Sequence, residues 1–382
     1  MKKALYFDYC ATTPVDERVL IAMQPFFCEI FGNSASQLHP YGWEAESAVD
    51  KARKQISTAL QVLPREIFFT SGATESNNWA IQSLIGSWQQ ASPNQPIHIV
   101  SSNAEHNSIL RVLEYMRKYR NIDVDFLPVG RDGRVTAEQV ERALKPSTKL
   151  VSLIWANNEL GSLNPIQEIS QLTRERKIYL HSDATQAVGK IPLNLEHTKL
   201  DLMSFSSHKI YGPKGVGALY IRSQDPSVQI PPLLHGGGQE RGLRSGTVNV
   251  AGVVGFGMAM ELIHHSIEQE SDKAWKMRKS FIGKLQSAGV NFRLNGSPTN
   301  TAPQVLNISF DAHASAVQFT GVAYSKGSAC HSENPEPSHV LTAIGIPASD
   351  YEKTLRFSFG RMTTDEEFQE FFQIILKKLA AN

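Results

Sequence analysis

A lysine that follows an apolar strand and precedes a tight turn is placed to act as a nucleophile, and Ser206-Ser-His-Lys-Ile-Tyr-Gly-Pro-Lys-Gly215 contains one at Lys209. Desolvation at the end of a buried strand lowers a lysine's pKa and frees its amine, the setting for an imine with an aldehyde. Taken alone, Lys209 would read as a solvated turn residue. The weight rests on what the other strand ends deliver.

Ile67-Phe-Phe-Thr70 reads as a buried strand, and the Ser71-Gly-Ala-Thr-Glu-Ser76 that follows opens a helix. Free backbone N–H groups, the helix dipole and the Thr74 hydroxyl make that turn an anion site. Strand-like runs over 97–101, 124–129, 150–155 and 178–183 come at intervals suited to βα units. Their ends present Glu105-His106, Asn157-Asn158, Asp183 with Gln186, and finally Ser206, His208 and Lys209. In a parallel sheet such ends share one crevice.

Pyridoxal 5′-phosphate fits this set. Lys209 would form the imine, Asp183 would pair with the pyridinium nitrogen and keep the ring an electron sink, and His106 would stack on its face. Gln186 would reach the phenolic oxygen, while Thr74 with Ser206 or His208 would hold the phosphate. A nucleotide fits less well, because neither G-x-x-x-x-G-K-[ST] nor a G-x-G-x-x-G turn after a strand is present.

A second centre is Ser325-Lys-Gly-Ser-Ala-Cys330, where a cysteine lies among polar and small residues and is better explained by nucleophilicity than by packing. Cys28 reads as core on an amphipathic helix, and Cys10 as core or site wall. Three scattered cysteines supply neither a disulfide framework nor a metal site. Arg356 is the first polar residue of an apolar strand, a place that wants a carboxylate partner. The loop His235-Gly-Gly-Gly-Gln-Glu-Arg-Gly-Leu-Arg-Ser-Gly-Thr247 is either a solvated hairpin or a second phosphate clamp, for a subunit that spacing does not identify.

Helices are expected over about 16–31, 42–60 and 251–287, with a short strand over 5–8. The alternation of strand and helix predicts an α/β fold with a mostly parallel sheet flanked by helices. A second, smaller α+β domain is expected to begin near residue 260. With 38 basic against 37 acidic residues the chain has no global attraction to nucleic acid or membrane. No secretory leader is read at the N-terminus and no apolar run approaching a membrane span, so a cytoplasmic small-molecule enzyme is expected.

Jointly these segments resemble the NifS/IscS-type cysteine desulfurases, in the class V aminotransferase group of fold-type I pyridoxal-phosphate enzymes. The resemblance rests on Phe7-Asp-Tyr-Cys-Ala-Thr-Thr-Pro14, Thr70-Ser-Gly-Ala-Thr-Glu-Ser76, Asn157-Asn-Glu159, His181-Ser-Asp-Ala-Thr-Gln186, Ser207-His-Lys-Ile-Tyr-Gly-Pro-Lys-Gly215, Gly236-Gly-Gly-Gln-Glu-Arg-Gly242, Arg244-Ser-Gly-Thr247 and Gly327-Ser-Ala-Cys330. It implies conversion of L-cysteine to L-alanine, with the sulfur passing to Cys330 and on to an acceptor protein. It implies Lys209 as the Schiff-base lysine, and Ala73, Thr74, Asn158, Gln186, Ser206 and His208 as cofactor contacts. His106 and Asp183 take the stacking and ring-nitrogen roles. Asn33, Asn158 and Arg356 would bind the substrate carboxylate, and Thr247 would reach the cofactor of a partner subunit in a homodimer. Residues 16–259 would form the large domain, and 1–15 with 260–382 the small one.

The sequence departs from the family pattern in places. Ser34 stands where a proline is usual, Lys326 adds a cation before the thiol, and the segment between Phe310 and Cys330 looks short. The chain ends at Asn382 without the tail of the housekeeping members. A specialised acceptor is therefore expected, with iron–sulfur assembly for nitrogenase and DNA phosphorothioation both open.

Overall fold

Apolar, β-branched and aromatic residues dominate most strands, and several, such as those ending at Thr70, Ser102, Asp183 and Ser206, stop where a polar residue or glycine turns the chain. The computed structural model describes residues 4–224, 227–312, 318–326 and 338–380. Along it run β1 (Leu5–Tyr6), α1 (Glu17–Met23), α2 (Pro25–Cys28), α3 (Pro40–Leu60), β2 (Ile67–Thr70), α4 (Ala73–Ala91), β3 (His98–Ser102), α5 (Asn107–Tyr119), β4 (Asp123–Leu127), α6 (Ala137–Ala143), β5 (Thr148–Ile154) and α7 (Ile166–Glu175). There follow β6 (Tyr179–Asp183), α8 (Leu195–Thr198), β7 (Leu202–Ser206), β8 (Gly217–Ile221), α9 (Val250–Ser287), β9 (Phe292–Asn295), β10 (Val305–Phe310), β11 (Val322–Ala323), α10 (His339–Ala343), β12 (Thr354–Ser358) and α11 (Asp365–Ala380).

The central sheet has the order β2-β8-β7-β6-β5-β3-β4. Its neighbours from β7 to β4 are parallel, while β8 runs antiparallel to both β7 and β2. Strands buried on both faces need helices on both faces, and successive side chains point to opposite ones. Phe69 and Met203 join the core packed by α3, α7 and α9, while Phe68 and Leu202 join the one packed by α4 and α5. The expected α/β class with a mostly parallel sheet is therefore observed.

Two expectations near the N-terminus change. The helix expected over 16–31 is two helices, because Pro25 has no N–H to continue α1 and starts α2 instead. Cys28, at the end of α2, is exposed rather than in the core.

A second sheet, β12-β10-β9, is antiparallel, and its core includes Phe281, Phe357 and Phe371. β1 pairs with β11, and Phe7 stacks on Phe371 with ring centroids 3.8 Å apart, so the N-terminal strand belongs to this smaller layer. α9 passes residue 260 without a break. Its first half, with Val253 and Phe256, packs in the central core, and its second half, with Met277 and Phe281, packs under the small sheet. Val340, Leu341 and Ile344 of the C-terminal region also join the central core. Contrary to the sequence expectation, α9 is long and apolar enough to match a membrane span, yet Phe256, Ala259, Met260 and Ile263 are buried within the protein.

Candidate active site

The carboxyl ends of the parallel strands border a cavity of about 480 Å³, within the size range of small-molecule sites. Ala73, Thr74, His106, Asn158, Asp183, Gln186, Ser206, His208, Lys209 and Arg356 all line it. Asn33 and Thr247 are exposed and do not line it. Asn33 instead accepts a hydrogen bond from the Ala35 N–H through its side-chain oxygen, closing a surface turn. Cys330 lies outside the described residues.

Lys209 ends the short helical turn Ser207–Lys209 that follows β7. Its amine donates to the carbonyls of Cys10 at 2.6 Å and Ala11 at 2.7 Å, so the loop after β1 reaches across to it. That loop is fixed in turn: the N–H and the hydroxyl of Thr13 both donate to the His208 carbonyl at 3.0 Å. Tyr211 just beyond has φ of +66°, a left-handed conformation costly for a bulky residue. It is held there by the Arg361 N–H on its hydroxyl at 2.6 Å and the Arg361 guanidinium over its ring. Burial, with Lys209, Lys214 and Lys190 adding to it, pushes His208 down to about 4, so its imidazole is neutral at physiological pH.

Asp183 closes β6 and is buried. One carboxylate oxygen accepts from Asn77 Nδ2 at 2.8 Å and the other from the Thr185 N–H at 3.0 Å. Asn77 also donates to Ser108 Oγ at 2.8 Å, and Ser108 meets His106 Nδ1 at 2.8 Å. His106 caps α5, its Nδ1 accepting from the Ser108 N–H, which leaves the ring proton on Nε2. Burial holds His106 below the usual imidazole range against the pull of the Asp183 carboxylate. Behind it, Glu105 is fully buried, accepts from Ser102 Oγ at 2.6 Å and has its other oxygen without a partner. Burial pushes this carboxyl up to about 8, the nearby Asp183 charge adding to the shift.

The anion cradle is the start of α4. Gly72 precedes the helix with φ of +154°, and a Cβ on Gly217 of β8 would meet its Cα at 2.7 Å, so both positions must be bare for strand and turn to approach. Ser206 and His208 border the same end of the cavity. The two arginines of the Gly-rich loop are not a second phosphate clamp within this chain. Arg244 binds both oxygens of Glu75 at 2.8 and 3.0 Å, and Arg241 lies over the Phe68 ring and donates to the Arg65 and Ile67 carbonyls. They spend their donors fastening the loop to β2 and α4.

Arg356 is 2% exposed. It donates to the Asn158 carbonyl at 2.9 Å, to Asp8 at 2.7 Å and to Ser325 Oγ at 3.0 Å, while its Nε has no partner. The carboxylate partner expected of it is thus Asp8 in this chain. Cys10 proves to be both core and wall, 2% exposed and lining the cavity. Lys326, expected beside the thiol, pairs with Glu352. Sequence reasoning missed Asn77, Thr185 and Asp8. Only the polar type of Asn77 amid Trp79, Ala80 and Ile81 hinted that its helix had a buried polar face.

The class-V aminotransferase family pattern matches residues 5–371. A cysteine desulfurase of Rattus norvegicus is 43% identical over 368 residues, covering 96% of this chain and 80% of its own. Among solved structures, a NifS-like protein superposes with a TM-score of 0.89 at 35% identity, covering 99% of this chain and 100% of its own. SspA in complex with cysteine gives 0.84 at 35% identity, covering 94% and 99%.

Proposed function

The chain belongs to the class-V aminotransferase family, on its cysteine desulfurase branch, and we propose that it converts L-cysteine to L-alanine and hands the sulfur to an acceptor protein. The observation that carries this reading is the meeting of an amine, an anion cradle, a buried carboxylate and a buried guanidinium around one cavity. Pyridoxal 5′-phosphate, the cofactor of this family, supplies an aldehyde for amine capture and a ring that stores the electrons released at the substrate's α-carbon.

The residues present fit that cofactor. The Ala73–Thr74 N-terminus with Ser206 and His208 would hold its phosphate, Asp183 its ring nitrogen and Gln186 its phenolic oxygen. Thr185 Oγ1 and Arg356 Nε, two buried polar atoms without partners on residues that line the cavity, suit a polar occupant.

In this reading Lys209 carries the α-proton. His106, neutral with its proton on Nε2, serves as a proton shuttle at the step in which the Cys330 thiolate takes the substrate sulfur and the electrons of the broken carbon–sulfur bond stay with the carbon that becomes alanine's methyl group. Arg356 orients the substrate carboxylate beside Asn158, taking it in place of or together with Asp8. Asn33 would complete this clamp only after its turn moved in. Cys330, outside the described residues, is the thiol that takes the sulfur. Residues 16–259 hold the cofactor and supply Asn33 and Asn158 to the clamp, and residues 1–15 with 260–382 contribute Arg356, its partner Asp8 and the thiol. The enzyme works as a homodimer in the cytoplasm, where a reducing environment keeps such a thiol free. Thr247, exposed here, would reach the partner's phosphate.

The test is incubation of the cofactor-loaded protein with L-cysteine and a thiol reductant, measuring alanine and sulfide together. Equal amounts of both are expected, and none from Lys209→Ala. Alanine that forms only with an added keto acid would make the protein an aminotransferase.

A further inference from the structure

Lys190 ends the turn after β6, four residues beyond Gln186, and is 6% exposed. Its amine contacts Gln186 Oε1 and stands 3.9 Å from Cys10 Sγ. Among the described residues it has no carboxylate partner. A buried amine in that state costs free energy that an apolar side chain of similar length would not. Burial pushes its pKa down, the Cys10 sulfur opposes this, and Arg356 adds to the lowering. His208 also feels its charge.

The Gln186 amide sits between two fixed groups: its Nε2 donates to the Cys10 carbonyl at 2.9 Å, and its Oε1 accepts from Lys190. The Cys10 carbonyl can only accept, and the same oxygen also receives Lys209 Nζ at 2.6 Å. Reversing the amide would set its oxygen against that carbonyl oxygen and its N–H groups against an ammonium. Held this way round, the amide keeps its second N–H for the cavity that Gln186 lines.

We infer that Lys190 is a positioning residue that orients Gln186, so that an N–H rather than a carbonyl oxygen faces the cofactor ring beside Lys209. The inference rests on the cofactor reading given above. An N–H donated to the ring's phenolic oxygen draws electron density from it and weakens its hold on the proton it shares with the Lys209 nitrogen. With the amide free to reverse, that hold strengthens and the proton leaves at higher pH.

The experiment titrates the visible absorption of the cofactor-loaded protein against pH. Lys190→Met is expected to raise the midpoint by about one unit, a tenfold change matching the loss of one hydrogen bond to a charged acceptor. Lys190→Arg, which can only donate, is expected to keep the wild-type midpoint. In a Gln186→Leu background Lys190→Met should add nothing, because its effect runs through that amide. The melting temperature of cofactor-free Lys190→Met should not fall, as it would if Lys190 only supported the fold. A wild-type protein without a visible band would overturn the cofactor reading itself. A clear band with the same midpoint in wild type and Lys190→Met, or a shift undiminished by Gln186→Leu, would overturn the role of Lys190.

Discussion

Cys10 lines the same cavity as Lys209, so a second thiol competes with Cys330 for the part of sulfur acceptor. Its surroundings argue against it. Cys10 is 2% exposed, its N–H donates to Ser358 Oγ at 2.9 Å, and its carbonyl is engaged by both Gln186 and Lys209. A sulfur carrier must meet the substrate and then an acceptor protein, which a residue pinned in the core cannot do. Cys28 is exposed but does not line the cavity. Cys330→Ser is therefore expected to leave the cysteine-induced change in visible absorption intact, because binding needs Lys209 and the carboxylate clamp alone. Alanine and sulfide formation should fall together by ~10³-fold or more, since a hydroxyl is too weakly acidic to replace the thiolate. Alkylation after a single turnover, followed by mass spectrometry, should find the sulfur adduct on the Cys330 peptide. An adduct on Cys10 or Cys28 would reassign the nucleophile.

At the scale of elements, the side chains that the central sheet delivers to the cavity stand at or just past strand ends, while Arg356 comes from the middle of β12, and the strand-end placement was legible from residue types. An apolar run that stops at Asp183 or Ser206 announces both the strand and the polar group it delivers. The strand order was not legible, because nothing local in β3 or β5 says that they are neighbours beside β6. Asn77 stayed hidden because a buried asparagine and a solvated one look alike in sequence. The contacts of Arg241 and Arg244 within this chain were not legible because a cation in a Gly-rich loop serves an anion, a carboxylate or a carbonyl equally well. Glu105 lies at one of these strand ends, with a carboxyl raised to about 8 by burial. The folded state keeps a proton that the unfolded chain releases near pH 4.5, so this stability is complete below that pH and is lost as pH rises through 8. Glu105→Gln removes the charge and keeps the shape. Melting curves of the cofactor-free proteins should nearly coincide at about pH 5, and the variant should melt at least ~3 °C higher by about pH 9. His181, pushed down to about 4 by burial, and His208 lose their stabilisation as pH falls from the ordinary imidazole range, equally in both proteins, and so drop out of the difference. A gap that does not change with pH would mean that Glu105 is ionised in the fold.

At the scale of the whole molecule, α1, α2 and α3 all pack against α9. The segment from α1 to the start of α3 carries Leu20, Ile21, Phe27, Phe31, Leu38, Tyr41 and Trp43, which are 52% to 94% exposed. So many large apolar side chains on one short segment mark a surface that a monomer would rarely leave in water, and the proposed homodimer would cover it. Thr247 is exposed as well and, among the described residues, is not one of those that line the cavity of its own chain, which fits a residue lent to the neighbour. The two ideas share one test. Thr247→Val should weaken cofactor affinity about tenfold, the worth of one hydrogen bond to a charged group, and Lys209→Ala should be inactive. If Thr247 acts across the interface, a mixed dimer of the two variants places both defects in one site and leaves the other wild type. Tagging the two chains differently and purifying the mixed species should then give active sites with wild-type cofactor affinity, about half the sites present. If Thr247 serves its own subunit, every site that retains Lys209 lacks Thr247, and the tenfold weakness persists in the mixture. That outcome, or a single-chain mass for the wild type in sedimentation, would remove the partner subunit from the site.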